Sequence, residues 1–145
     1  METSNFHQPI LLIEDNPVDI DLTLRAFKLR KLSNPIIVLR DGAEALSWFD
    51  NWNHKMLMPA VILLDLKLPK VSGLEVLKVV KSHPIFKKIP IVILTTSADN
   101  LDVNNAYLLG ANSYILKPVN FEKFIEVVEK IEIYWNVINK PPNEI

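Results

Sequence analysis

The sequence predicts an α/β protein with a doubly wound, five-stranded parallel sheet and five helices. Two observations predict it. Short apolar runs recur at Ile10–Ile13, Ile36–Leu39, Ala60–Leu64, Ile91–Leu94 and Ser113–Leu116, and runs this short and this apolar read as strands buried on both faces. Between them lie stretches with helical spacing, and strict β–α alternation calls for a parallel sheet covered by helices on both sides.

The elements follow in order. Val18, Leu22, Leu24, Ala26 and Leu29 mark the first helix, and Asn16-Pro17 is its start, with proline at the first helical position. Ala43, Ala45, Leu46 and Phe49 mark the second helix, and Leu74, Val76, Leu77 and Val80 the third. Val103, Ala106, Tyr107 and Leu109 mark the fourth, which Gly110 closes as a C-terminal cap. Phe121, Phe124, Ile125, Val128 and Ile131 mark the last. Pro35, Pro59 and Pro90 stand as breakers just before three of the strands. Neither a repeat nor a linker divides the chain, so the 145 residues read as one domain with its core from about 9 to 138.

Composition narrows the function classes. A net charge of −1 points away from nucleic acid. The absence of cysteine excludes thiol catalysis and thiolate metal sites. The opening residues are polar and no apolar run approaches a membrane span, so the expected location is the cytoplasm.

The chemistry lies at the ends of the strands. The first runs into Glu14 and Asp15, the third into Asp65, the fourth into Thr95, and Lys117 follows the fifth. Each alone has an ordinary reading as a cap, a turn residue or a surface lysine. Their coincidence is what matters, because open α/β sheets bind ligands at the carboxyl ends of their strands. Clustered carboxylates repel one another, and a divalent cation relieves that repulsion. Mg²⁺ takes few protein oxygens and keeps several waters. One oxygen of Asp65 then stays free to attack phosphorus, while Thr95 and Lys117 hold the oxygens of the transferred group.

The sequence resembles the response-regulator receiver domains of bacterial two-component signalling. The matching pieces are Leu-Leu-Ile-Glu-Asp-Asn-Pro at 11–17, Leu-Leu-Asp-Leu-Lys-Leu-Pro at 63–69 with Gly73 beyond, Ile-Leu-Thr at 93–95, and Lys117-Pro118. The resemblance implies a flavodoxin-like sheet in strand order 2-1-3-4-5. It implies that Glu14, Asp15, Asp65 and the backbone carbonyl of Lys67 hold Mg²⁺, and that Asp65 is the phospho-acceptor. Thr95 and Tyr114 correspond to the switch pair and Lys117 to the phosphate-contacting lysine. A cis Lys117–Pro118 bond is also implied. The partner would be a sensor histidine kinase, and the chain would catalyse its own modification without turning over an external substrate.

A narrower resemblance joins Arg40-Asp41-Gly42-Ala43-Glu44-Ala45-Leu46, the run 65–70, and the tail Tyr134-Trp135-Asn136 with Asn139-Lys140-Pro141-Pro142. These are similar to stand-alone receivers that serve bacterial phytochromes, which agrees with the lack of an output domain. Lys67 and Ser97 flank the path of a hydrolytic water and neither is suited to orient it, so slow hydrolysis is expected. Ile131 to Ile138 is apolar on more than one helix face. It either folds back on the sheet edge or forms a dimer surface with the fourth helix and fifth strand, with Tyr107, Tyr114, Tyr134 and Trp135 as anchors. Trp48 and Trp52 read as falling after the second helix, where a helix end packs under a loop, and His7, His54 and His83 as loop residues without a catalytic or metal role.

Two other readings compete. A receiver-like interaction module that needs no phosphate would lack part of the site. A flavin carrier or haloacid-type phosphatase would need a Ser/Thr/Gly loop after the first strand, or an acid in place of Lys67.

Overall fold

Prolines open the strands. The structure, a computed structural model, describes residues 8–117 and 120–137, with side chains as far as Lys130. The strands are β1 (Ile10–Ile13), β2 (Ile36–Leu39), β3 (Val61–Leu64), β4 (Ile91–Thr95) and β5 (Ser113–Leu116). Pro9, Pro35 and Pro90 lack an N–H, but their carbonyls accept from Ala60, Ile10 and Ile62 of neighbouring chain segments at 2.8–2.9 Å. Each proline thus ends the preceding loop while extending the ladder by one bond. The sheet is parallel throughout, in the order β2-β1-β3-β4-β5.

Alternation along each strand feeds two cores. Leu11, Ile13, Ile62, Leu64, Ile91 and Ile93 face α2 (Gly42–Asn51), α3 (Gly73–Ser82) and α4 (Asn100–Leu108), through Phe49, Val76, Leu77, Val80 and Ala106. Ile10, Leu12, Val61, Leu63, Val92 and Leu94 face α1 (Pro17–Leu29) and α5 (Phe121–Val137), through Ile20, Ala26, Phe27, Phe124 and Val128. The chain therefore leaves β1 over one face and returns over the other, which places the topological switch between β1 and β3.

Caps set the helix ends. Asn16 accepts from the N–H groups of Val18 and Asp19, and Pro17 opens α1. Beyond α4, Gly110 has φ +110°, its N–H bonding Tyr107 O and the N–H of Ala111 bonding Ala106 O. That is a Schellman closure of the expected kind. At Gly73, a Cβ would strike the carbonyl oxygen of Asp65 and lie 2.5 Å from Leu66 Cα, so α3 starts directly against the turn that carries Asp65.

Several expectations need correction. In α1, Val18 is 72 % exposed and Leu29 59 %, while Ile20, Thr23 and Phe27 carry the buried face. This helix has more apolar residues than one stripe can hold, and contact with α5 selects among them. Trp48 lies inside α2, and Trp52 caps it with its ring against Phe86, 5.5 Å between centroids. His83 also packs on Phe86, at 4.2 Å. Phe121, one of the residues that mark the last helix, is 37 % exposed rather than a core residue, while Tyr107 of α4, expected as a surface anchor, is 49 % exposed. The Lys117–Pro118 bond and the side chains of Tyr134 and Trp135 lie outside the described residues. Among the described residues no helix is long and apolar enough to cross a membrane.

Candidate functional site

Register brings the site together. Ile13 is level with Leu64, and Leu64 with Ile93, so β1, β3 and β4 end side by side. Asp65 extends the ladder, its N–H bonding Ile13 O at 3.0 Å, immediately before Glu14. The Lys117 N–H bonds Thr95 O at 2.7 Å, which carries the lysine to the same edge.

Glu14, Asp15 and Asp65 each offer a carboxylate oxygen within 4.8 Å of the others. Glu14 and Asp65 are buried, and Asp15 faces solvent. Hard oxygen donors on adjoining strand ends, with one side open to water, fit a Mg²⁺-sized cation that keeps part of its hydration. Asp65 Oδ1 accepts from the Lys67 N–H at 3.0 Å, which fixes the turn on which the Lys67 carbonyl also sits.

Lys117 is the positive centre. Its side chain is 5 % exposed, and Nζ donates to Glu14 Oε1 at 2.7 Å, Asp19 Oδ2 at 2.8 Å and Asp65 Oδ2 at 3.3 Å. All three ammonium protons have acceptors. Burial pushes the Glu14 carboxyl up to about 7, with Asp65 adding to the rise and Lys117 opposing it. Burial also works to strip the Lys117 proton, but the hydrogen bonds it donates to Asp19 and Glu14 outweigh it and hold the ammonium above its usual range.

The β4 side carries a second network. Thr95 is fully buried, and its Oγ1 lies 3.5 Å from the Ser97 N–H. Ser97 Oγ donates to Asp102 Oδ2 on α4 at 2.5 Å, and Ser97 O accepts from the Tyr114 hydroxyl at 2.8 Å. Lys67 Nζ reaches Asp102 at 4.0 Å from the other side of the site.

The structure therefore brings Glu14, Asp15, Asp65, Lys67, Thr95 and Lys117 to one sheet edge, with Tyr114 joined to it through Ser97. Tyr107 stands apart on α4, its ring 6.4 Å from that of Tyr114. Sequence reasoning missed Asp19, and missed that Ser97 links the Thr95 loop to both Tyr114 and α4.

Known proteins resemble this chain in sequence and in fold. The probable methanogenesis regulatory protein FilR2 of Methanothrix harundinacea is 41 % identical over 92 % of this chain and 86 % of its own. Response regulator Rcp1 of Synechocystis is 38 % identical over 92 % of both chains. Its Mn²⁺-bound structure superposes with a TM-score of 0.78, at 38 % identity, over 88 % of this chain and 94 % of that one. The phosphorylated cyanobacterial phytochrome response regulator RcpA gives a TM-score of 0.80 at 37 % identity, over 91 % of this chain and 96 % of its own. A sequence model of the response regulator receiver domain matches residues 10–129. The match runs from the first residue of β1 well into α5 and takes in every carboxylate gathered around Lys117, and the chain belongs to the response regulator receiver domain family.

Proposed function

We propose that the chain is a phosphorylation switch, taking a phosphoryl group onto Asp65 from the phosphohistidine of a sensor histidine kinase. The observation that carries this reading is the convergence of Glu14, Asp65 and the buried Lys117 ammonium on one strand edge. A carboxylate oxygen of Asp65 attacks phosphorus. The P–O bond forms as the P–N bond breaks, and the departing imidazole takes a proton from solvent. Lys117 offers a positive charge to the phosphoryl oxygens, and the Thr95 hydroxyl a hydrogen bond. Glu14, Asp15, Asp65 and the Lys67 carbonyl would hold Mg²⁺, which supplies charge neutralisation between acceptor and donor. The chain's own residues thus catalyse its modification.

Hydrolysis of the acyl phosphate is slow in this reading. Ser97 Oγ is committed to Asp102 and the Lys67 ammonium leans toward the same carboxylate, so neither orients a water. The likeness to the phytochrome response regulator RcpA supports a phytochrome kinase as the donor, and the cytoplasm is the proposed location. A homodimer through α4, β5 and α5 completes the reading, with Tyr107, Tyr134 and Trp135 as anchors. It is supported by the exposed apolar surface of α4, where Leu108 is 83 % and Tyr107 49 % exposed.

The test is intact mass after incubation with acetyl phosphate, with and without Mg²⁺. One added phosphoryl that requires Mg²⁺ is expected. No addition under conditions that label another receiver would leave the phosphate-independent interaction module as the better account.

A further inference from the structure

Asp19 has no part in the acceptor or metal roles assigned above, yet it makes one of the shortest contacts to Lys117. It sits in the first turn of α1, where its N–H bonds Asn16 Oδ1 at 3.1 Å and its carbonyl accepts the Thr23 hydroxyl at 2.7 Å. Its carboxylate receives the Lys117 ammonium at 2.8 Å. The Lys117 ammonium has three protons and three acceptors, so a phosphoryl oxygen can be bound only if one acceptor is given up. The three are not equally replaceable. Glu14 is buried at the end of β1, with its second oxygen held by the Asn16 N–H at 3.2 Å. Asp65 is the group being modified, so its own contact, the longest at 3.3 Å, passes to the phosphoryl group, and any further phosphoryl contact with the ammonium must displace Glu14 or Asp19. The Asp19 side chain is 24 % exposed, so water can take the lysine's place there at little cost.

We propose that Asp19 is the exchangeable counter-ion of Lys117, holding the ammonium in the phosphoryl-free site and releasing it when a phosphoryl group arrives on Asp65. This rests on Asp65 being the acceptor. Asp19 is then a positioning residue that acts through Lys117 and competes with the phosphoryl group for it. Its release also alters the first turn of α1, next to the exposed Val18, so the surface there registers the state of the acceptor.

The probe is beryllofluoride with Mg²⁺, a stable stand-in for the phosphoryl group, titrated by NMR. In the wild type, the side-chain carboxyl carbon signal of Asp19 should move as beryllofluoride binds. Asp19→Asn removes the competitor and keeps the shape, so binding should tighten about fivefold. Asp19→Glu restores a carboxylate and should return affinity to within about twofold of wild type. An Asp19 signal that stays still, or an Asp19→Asn variant of unchanged or weaker affinity, overturns the proposal. A wild type that binds no beryllofluoride at all removes the acceptor reading itself, and this inference falls with it.

Discussion

The Tyr114 hydroxyl donates to the Ser97 carbonyl at 2.8 Å, which ties the only aromatic side chain of β5 to the loop that begins at Thr95. Ser97 in turn presents its N–H to Thr95 Oγ1 and its own hydroxyl to Asp102. A pull on Thr95 from a phosphoryl oxygen therefore reaches Tyr114 through a single residue, and α4 through the same one. Two-state elements of this size are biased by local charge.

Thr95→Ala should still accept phosphoryl but show a weakened response at Tyr114, read in the chemical shifts of that ring. An undiminished response would route the switch elsewhere. Burial, with nearby Asp102 and Asp99 adding, raises the Tyr114 phenol above its ordinary value. The neutral phenol is thus favoured in the fold. Its stabilising share is complete below about pH 10 and is lost as pH rises through the raised value. Tyr114→Phe should lack that part of the alkaline decline, measured by denaturant unfolding at several pH values.

Much of the fold and site was legible in the sequence because strand-end residues sit at fixed offsets from unmistakable apolar runs. Glu14, Asp65 and Thr95 could be placed by counting. Asp19 could not, since an acid in a first helical turn has a sufficient explanation in the helix dipole. The signal available was geometric: helix side chains lean toward the N-terminus, so a first-turn side chain points back to the sheet edge from which the helix springs. Val18 and Leu29 failed for another reason. The periodicity of α1 admits two stripes, and only packing against α5 chooses between them.

Mg²⁺ should raise the melting temperature by mass action, with Kd in the millimolar range or below. At a hundredfold excess over Kd the gain is about 2.7 kcal/mol. Asp15 is the exposed member of the carboxylate group, so Asp15→Ala should keep the fold while abolishing both the Mg²⁺ shift and labelling. A variant labelled at the wild-type rate would place the metal elsewhere.

Gly73→Ala tests how the acceptor turn is held. The new methyl would collide with the backbone of Asp65 and Leu66, neither of which is a flexible chain end. A loss of about 1–3 kcal/mol is expected, the usual range for overpacking, and labelling should slow with it. Unchanged unfolding and labelling would show that the turn is free to move.

Light scattering at tens of micromolar tests the dimer. Changing both Tyr134 and Trp135 to Ala should lower the mass in solution, since truncating a central aromatic costs about 2 kcal/mol or more. A wild type that stays monomeric with and without phosphoryl loading would rule the dimer out.

The central claim is that Asp65 is the acceptor. Borohydride reduces an acyl phosphate to the alcohol, converting the modified aspartate to homoserine, which peptide mass mapping can locate. After acetyl phosphate and Mg²⁺, homoserine should appear at position 65, and Asp65→Asn, folded as the wild type, should give none. Homoserine at any other position, or full phosphoryl labelling of the Asp65→Asn variant, would contradict the account.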